Sequence, residues 1–234
     1  GDGTNAAVFQ MVNNGTHSFS SGLVVSNNGV LTGLGTVAGN ISINGGGTIA
    51  PGTGNIGTIV ATGSLTLNTG STAFMKLNAL GGTADSITGV SNLVFGGTLQ
   101  LSNLAGTFSA GNSFKLFDAT NYNGAFGGLS PSSPAAGLRW NTNELGVDGV
   151  LRVFSSTPQP PSFASVTVAN GNLVVSGVGG NPYDPCYLLT STNLSAPVSG
   201  WTCVATNTFD LSGAVSFTNP ITAGQAQYYR LQVN

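Results

Sequence analysis

His17 is the single histidine of the chain, so a serine or cysteine triad would have to run through it. No G-x-S-x-G nucleophile elbow accompanies it, and Asn14-Gly15-Thr16-His17 reads as a polar surface corner. Carboxylates are equally sparse. Glycoside hydrolysis needs two of them about 5 to 9.5 Å apart, yet Asp85, Asp118, Asp148, Asp184 and Asp210 are scattered, and Glu144 is the only glutamate. Glu144 and Asp148 form the nearest pair, in a loop before a strand, where solvated turn roles suffice. A polysaccharide hydrolase or lyase is thus the minor alternative, and the chain is expected not to be an enzyme. Metal chemistry lacks ligands: one His and two separated Cys cannot supply the three or four that zinc takes, and Gly1-Asp2-Gly3-Thr4-Asn5 offers calcium only a few of its six to eight oxygens. Gly52-Thr53-Gly54-Asn55-Ile56-Gly57 matches the dinucleotide fingerprint in letters alone. That motif needs a helix after it, and here a strand-like run follows, so no cofactor is expected.

Two cysteines and a few aromatic rings complete the inventory. Cys186 and Cys203 lie 17 positions apart, each near the start of a strand-like run. A cross-strand disulfide is the preferred reading, since it suits a secreted protein and closes a loop worth about 3 kcal/mol of chain entropy; two buried free thiols are the alternative. Trp140 and Trp201, with Tyr183, Tyr187, Tyr228 and Tyr229, are candidates for stacking on sugar rings, against core packing as the commoner fate.

The elements that would position such groups follow from composition. Lys and Arg total 5 and Asp and Glu 7 in 234 residues, while Gly alone supplies 36; an ordinary soluble domain is about a quarter charged. With a net charge of −2 and scattered basic residues, nucleic acid is an improbable partner. No window approaches the roughly 18 uninterrupted apolar residues of a membrane helix. Disorder is excluded too, because 40% of the residues are hydrophobic and sit in short Val, Ile, Leu and Phe runs. Good helix formers are nearly missing, so an all-β protein with polar, uncharged turns remains.

The first 120 residues read as successive rungs, among them Gly39-Asn40-Ile41-Ser42-Ile43, Ser64-Leu65-Thr66-Leu67, Phe74-Met75-Lys76-Leu77 and Ser91-Asn92-Leu93-Val94-Phe95, with in/out alternation. Asn14-Gly15, Asn28-Gly29 and Asn44-Gly45 supply turns. Turn-to-turn intervals near 14 to 18 residues suit a β-helix with a thin continuous core, while a Greek-key sandwich would explain the same runs.

Gly47-Thr48-Ile49-Ala50-Pro51-Gly52, then Ile56-Gly57-Thr58-Ile59, then Gly63-Ser64-Leu65-Thr66-Leu67-Asn68-Thr69-Gly70-Ser71-Thr72, with Asp85-Ser86-Ile87 beyond, resembles the passenger-associated β-strand repeat of bacterial autotransporters and related surface proteins. The likeness continues through Gly96-Gly97-Thr98-Leu99 and Phe108 to Phe117 and covers roughly residues 30 to 153. It implies a right-handed parallel β-helix, exported and exposed at the bacterial cell surface, although no terminal membrane barrel accompanies it here.

Residues 121 to 153, with Trp140 and the strand Gly149 to Val153, are expected to close the solenoid. Three prolines within 155–161 mark a stiff linker. Residues 162–234 hold six better-separated strands, the pattern of a small Ig-like antiparallel β-sandwich. The segments Leu188 to Asn193, Trp201 and Tyr228-Tyr229-Arg230-Leu231 resemble a C-terminal β module of large surface proteins of environmental bacteria. The expected organisation is therefore 1–15 as an extended segment, 16–154 as the β-solenoid with its cap, 155–161 as linker and 162–234 as sandwich.

Natural β-proteins deter edge-to-edge association with Lys, Glu and Pro, and this solenoid carries only Lys76 and Lys115 as lysines, with no Glu before residue 144. A secreted structural protein that stacks on its own copies into a filament, sheath or stalk is the leading expectation. Residues 1–15, through Ala6, Ala7, Val8, Phe9, Met11 and Val12, are the candidate strand donated to a neighbour. A monomeric adhesin or carbohydrate-binding module acting on a surface polysaccharide is the alternative.

Overall fold

Short Val, Ile and Leu runs broken by Gly, Asn and Ser leave no segment long enough for a stable helix. The computed structural model, which describes residues 6–221 and 226–233, is all-β. Among the described residues the helical content is two 3-10 turns, Asn143–Gly146 and Val198–Gly200. The chain divides into two compact units, Gly1–Phe154 and Ser155–Asn234.

In the first unit the strands are β1 (Val8–Ser18), β2 (Leu23–Val25), β3 (Val30–Ala38), β4 (Ile41–Ile43), β5 (Thr48–Pro51), β6 (Thr58–Ala61), β7 (Leu65–Leu67), β8 (Thr72–Asn78), β9 (Thr83–Ala84), β10 (Ser86–Phe95), β11 (Thr98–Asn103), β12 (Ser113–Lys115), β13 (Phe117–Gly124), β14 (Gly128–Ser130), β15 (Leu138–Asn141) and β16 (Val150–Ser155). Thirteen of them form one sheet in which the pairings are parallel except for the β8–β9 hairpin. The register sorts them into three columns. One runs through the first part of β1, β3, β5, β8, β11 and β14; a second through the later parts of β1 and β3, then β6, β10 and β13. The third takes β2, β4, β7 and the later parts of β10 and β13. Such a sheet is compatible with a β-helix. Equivalent positions in the first column are Val8, Val30, Thr48, Thr72, Thr98 and Gly128, so the repeat ranges from 18 to 30 residues and is longer than the 14 to 18 read from the turns.

Parallel register places like residues above one another at about 4.8 Å, and the inward positions become ladders. Phe9, Leu31, Ile49, Ala73, Leu99 and Leu129 make one; Leu23, Ile41, Leu65, Leu93 and Tyr122 make another. These belong to or pack against one hydrophobic cluster that reaches from Met11 to Val153. The outward positions hold Thr, Ser and Asn. Asn68 Nδ2 donates to Asn44 Oδ1 at 2.8 Å and to Ser42 Oγ at 3.0 Å, and Asn123 Nδ2 donates to Asn92 Oδ1 at 2.8 Å. Amides and hydroxyls donate and accept in the same column, whereas stacked like charges would repel. Charge depletion is thus the outward-facing counterpart of the stacking.

The extended segment expected at 1–15 is corrected by β1. Residues Val8–Ser18 pair with β3 of the same chain, Phe9 opposite Leu31 and Met11 opposite Gly33, with a register shift between Met11 and Gly15. Met11 is buried, and Ala7 O accepts a hydrogen bond from Val30 N at 2.8 Å. Gly33 permits this closeness: its φ is +98°, and a Cβ there would lie 2.0 Å from Met11 O. The candidate donor residues Ala6, Ala7, Val8, Phe9, Met11 and Val12 therefore belong to or border the molecule's own first strand, and residues 1–5 lie outside the described ones. At the other end β12, β16 and β15 form a separate three-stranded sheet, which brings Trp140, Leu145, Leu151 and Val153 into the same core.

The second unit contains β17 (Ser162–Ala169), β18 (Asn172–Val178), β19 (Pro185–Ser191), β20 (Thr202–Thr208), β21 (Ala214–Pro220) and β22 (Tyr228–Gln232). They form two antiparallel three-stranded sheets, β17-β18-β21 and β20-β19-β22. Leu173, Val175, Cys186, Leu188, Phe209, Val215, Phe217 and Leu231, drawn mostly from both sheets, share one core. Phe209 lies against Gly180, where a Cβ would meet its ring at 2.2 Å.

The expected Cys186–Cys203 disulfide is not formed. In the β19–β20 register Cys186 faces Asn207, while Cys203 faces Leu189, three positions further along β19. Cys186 is buried in the core and Cys203 is exposed. Both are free thiols, because the pairing opposes residues whose numbers the spacing in sequence does not match.

Candidate functional site

The most concentrated chemistry in the first unit is a buried lysine and aspartate. Lys76 sits in β8 in the run Phe74-Met75-Lys76-Leu77, where simple alternation assigns it to the outer face. The chain then turns through Asn78 to Gly82 and returns as β9, which pairs antiparallel with the end of β8 and delivers Asp85 beside Lys76. Asp85 follows at once. Lys76 Nζ stands 2.7 Å from Asp85 Oδ2, with side-chain exposures of 8% and 0%.

Backbone groups from two neighbouring segments also converge on this node. Gly57 N donates to Asp85 Oδ1 at 2.8 Å, Lys76 N donates to Asp85 Oδ2 at 2.8 Å, and Asp85 N donates to Lys76 O at 2.8 Å. Lys76 Nζ also donates to Pro51 O and lies 5.8 Å from the centroid of the Phe74 ring. The Pro51 to Gly57 loop, the β8–β9 hairpin and the start of β10 are tied together at one point. Burial pushes the Asp85 carboxyl above its ordinary value; the hydrogen bonds from the Lys76 side chain and backbone and from Gly57, with the ammonium charge, draw it only part of the way back. The letters of the Gly52 to Gly57 fingerprint thus acquire a use, since the last glycine supplies the N–H that holds Asp85.

The remaining ionisable groups serve local geometry. Asp148 is bound by Arg152, Nη2 to Oδ2 at 2.6 Å and Nη1 to Oδ1 at 3.4 Å, and accepts from Val150 N at 2.9 Å. Partial burial acts to raise its carboxyl, and the Arg152 and Val150 hydrogen bonds with the Arg152 and Lys115 charges outweigh it, leaving it below its ordinary value. Lys115 bridges Asp118 at 3.2 Å and donates to Asp148 O at 2.6 Å. Glu144 lies in the 3-10 turn that leads to Asp148, whose carboxylate is committed to Arg152. His17 stands edge-on to Phe9, ring centroids 5.2 Å apart. Among the described residues no group of three or more His, Cys, Asp and Glu side chains converges, and the Gly1 to Asn5 calcium candidate lies outside them.

The sugar-stacking expectation for Trp140 is corrected: the indole is 8% exposed, meets Phe108 edge-on at 5.0 Å and donates from Nε1 to Pro131 O at 3.1 Å. Its face is core surface. Trp201 is half-buried, with Nε1 donating to Ala196 O at 3.0 Å.

The second feature with a bearing on function is the pair of column ends. Among the described residues no strand pairs with the outer edges of β1 and β2, nor with those of β13 and β14. Val8 and Val24 are 58% and 62% exposed at the first end and line, with Ala7, Phe9, Leu23 and Val25, a groove of about 240 Å³. At the opposite end the start of β13 meets the 142–149 segment, Phe117 N donating to Gly149 O at 3.1 Å, and a hollow of about 440 Å³ is lined by Phe95, Leu99, Phe126 and Leu129 together with Thr142, Asn143 and Leu145. Between Asp2 and Lys76 the chain has no Asp, Glu, Lys or Arg at all. Among the described residues no helix is long and apolar enough to cross a membrane. Comparison with protein-family models and with curated proteins gives no match. Simple spacing could not have found the Lys76–Asp85 node, although a lone lysine inside an apolar strand was its visible signal.

Proposed function

We propose that this chain is a secreted, surface-exposed structural protein of the autotransporter-repeat type, a right-handed parallel β-helix followed by a small Ig-like sandwich, which adds to copies of itself head to tail in an extracellular filament. The observation that carries the reading is the edge of β1 and β2, with Val8 and Val24 exposed and no Asp, Glu, Lys or Arg between Asp2 and Lys76; the end at β13 and β14 differs from it, its hollow being lined by Thr142 and Asn143 as well as Phe95, Leu99 and Phe126. Open strand edges without lysine or glutamate invite pairing with another edge. Two different ends that meet make a heterologous contact, which propagates into an open fibre instead of closing. Because β1 is spent on β3, the contact adds strands end to end and donates none.

The purified chain is expected to sediment as concentration-dependent oligomers and to appear in negative stain as fibres. A Val8→Lys/Val24→Lys variant, which restores charged gatekeepers at one end, is expected to remain monomeric. A wild-type chain that stays monomeric at high concentration overturns the reading.

A further inference from the structure

We propose that Lys76 and Asp85 become joined by an intramolecular isopeptide bond between Lys76 Nζ and Asp85 Cγ. The inference goes beyond the assembly reading and is independent of it. A buried ion pair is a poor stabiliser, since removing both charges from water costs about as much as their attraction returns. Condensation abolishes both charges in place.

The geometry supplies what the step needs. Productive attack puts the nitrogen about 3–3.5 Å from the carbonyl carbon, and an amine 2.7 Å from one carboxyl oxygen is already beside that carbon. Proton transfer from the ammonium to Oδ2 across this contact turns the ion pair into a neutral amine and a neutral acid, the pair favoured where water is excluded. Nζ then attacks Cγ. The oxygen that gains charge is Oδ1, and Gly57 N–H, 2.8 Å away, is aimed at it. Pro51 O holds the amine from its other side and orients it. As the Nζ–Cγ bond forms, the Cγ–Oδ2 bond breaks. One proton stays on the amide nitrogen, and the other two of the original ammonium leave with Oδ2 as water. Atoms and charge balance with no oxidant or co-reactant.

The experiment is intact mass spectrometry of the denatured chain followed by digestion. The expected result is a mass lower than the sequence specifies by one water, with loss of tryptic cleavage after Lys76. A chymotryptic fragment joining the peptide that contains Lys76 to the one that contains Asp85 should appear as well. Lys76→Arg, which keeps the charge and cannot condense in this way, should show the full mass. Dehydration of an aspartate to a cyclic imide also removes one water. A mass deficit that persists in Lys76→Arg, or that lacks the branched fragment, therefore overturns the proposal, as does full mass in folded wild-type protein. A light fraction that grows with time in folded but not in denatured protein supports it.

Discussion

At the scale of single residues, a chain with so few charges has placed two of them where they are hardest to keep. The Lys76–Asp85 node fastens the Pro51 to Gly57 loop and the β8–β9 hairpin to the stack. Removing one partner of a buried pair leaves the other unpaired, at about 3–5 kcal/mol. Lys76→Met is therefore expected to lose about that much by chemical denaturation, and Lys76→Met/Asp85→Leu to lose less than the single change. Asp148 makes part of the stability depend on pH. Its carboxyl is held below the ordinary 3.8 in the folded state, so its stabilisation is present above that value and lost as pH falls through the lower folded one. Being 39% exposed, it is worth under about 1 kcal/mol. Asp148→Asn should flatten the acid side of the stability curve by that amount. The thiols provide a third test: native protein should react with one equivalent of a thiol reagent, through exposed Cys203, and unfolded protein with two.

At the scale of elements, the recurrent feature is register. Short strands with inward Ile and Leu were legible because their side chains alternate, and all six strands of the second unit fall where turn residues bound them. Others were not. β3 contains Gly33 and Gly35, which a reading by propensity treats as breaks, while the structure uses Gly33 to let Met11 O approach. A substitution test follows: Gly33→Val puts side-chain atoms into the backbone of β1 and should raise hydrogen exchange across residues 8–18 far more than in β10. The repeat length escaped a reading by turn spacing because loops of different size are inserted between columns at 52–57, 79–82 and 104–112, and only pairing shows which strands are equivalent. The same limit hid the separation of Cys186 from Cys203 and the β8–β9 hairpin that brings Asp85 back to Lys76.

At the scale of the whole molecule, the charge-free edge of the first unit is the reason to expect assembly, and the lysine substitutions at Val8 and Val24 test whether that edge is what drives it. The sequence by itself determined the class of this protein. Scarcity of charge, abundance of Gly and Asn, and runs of three to five apolar residues exclude helices and leave stacked short strands, since these are local properties of composition and alternation. Tertiary structure alone decided which residues meet: that residues 8–18 complete their own sheet, that Trp140 is core, that the cysteines stay apart, and that Lys76 reaches Asp85. Each of these depends on long-range pairing, which is set by the sum of many inward contacts along a column, and no single neighbourhood in the chain carries that sum.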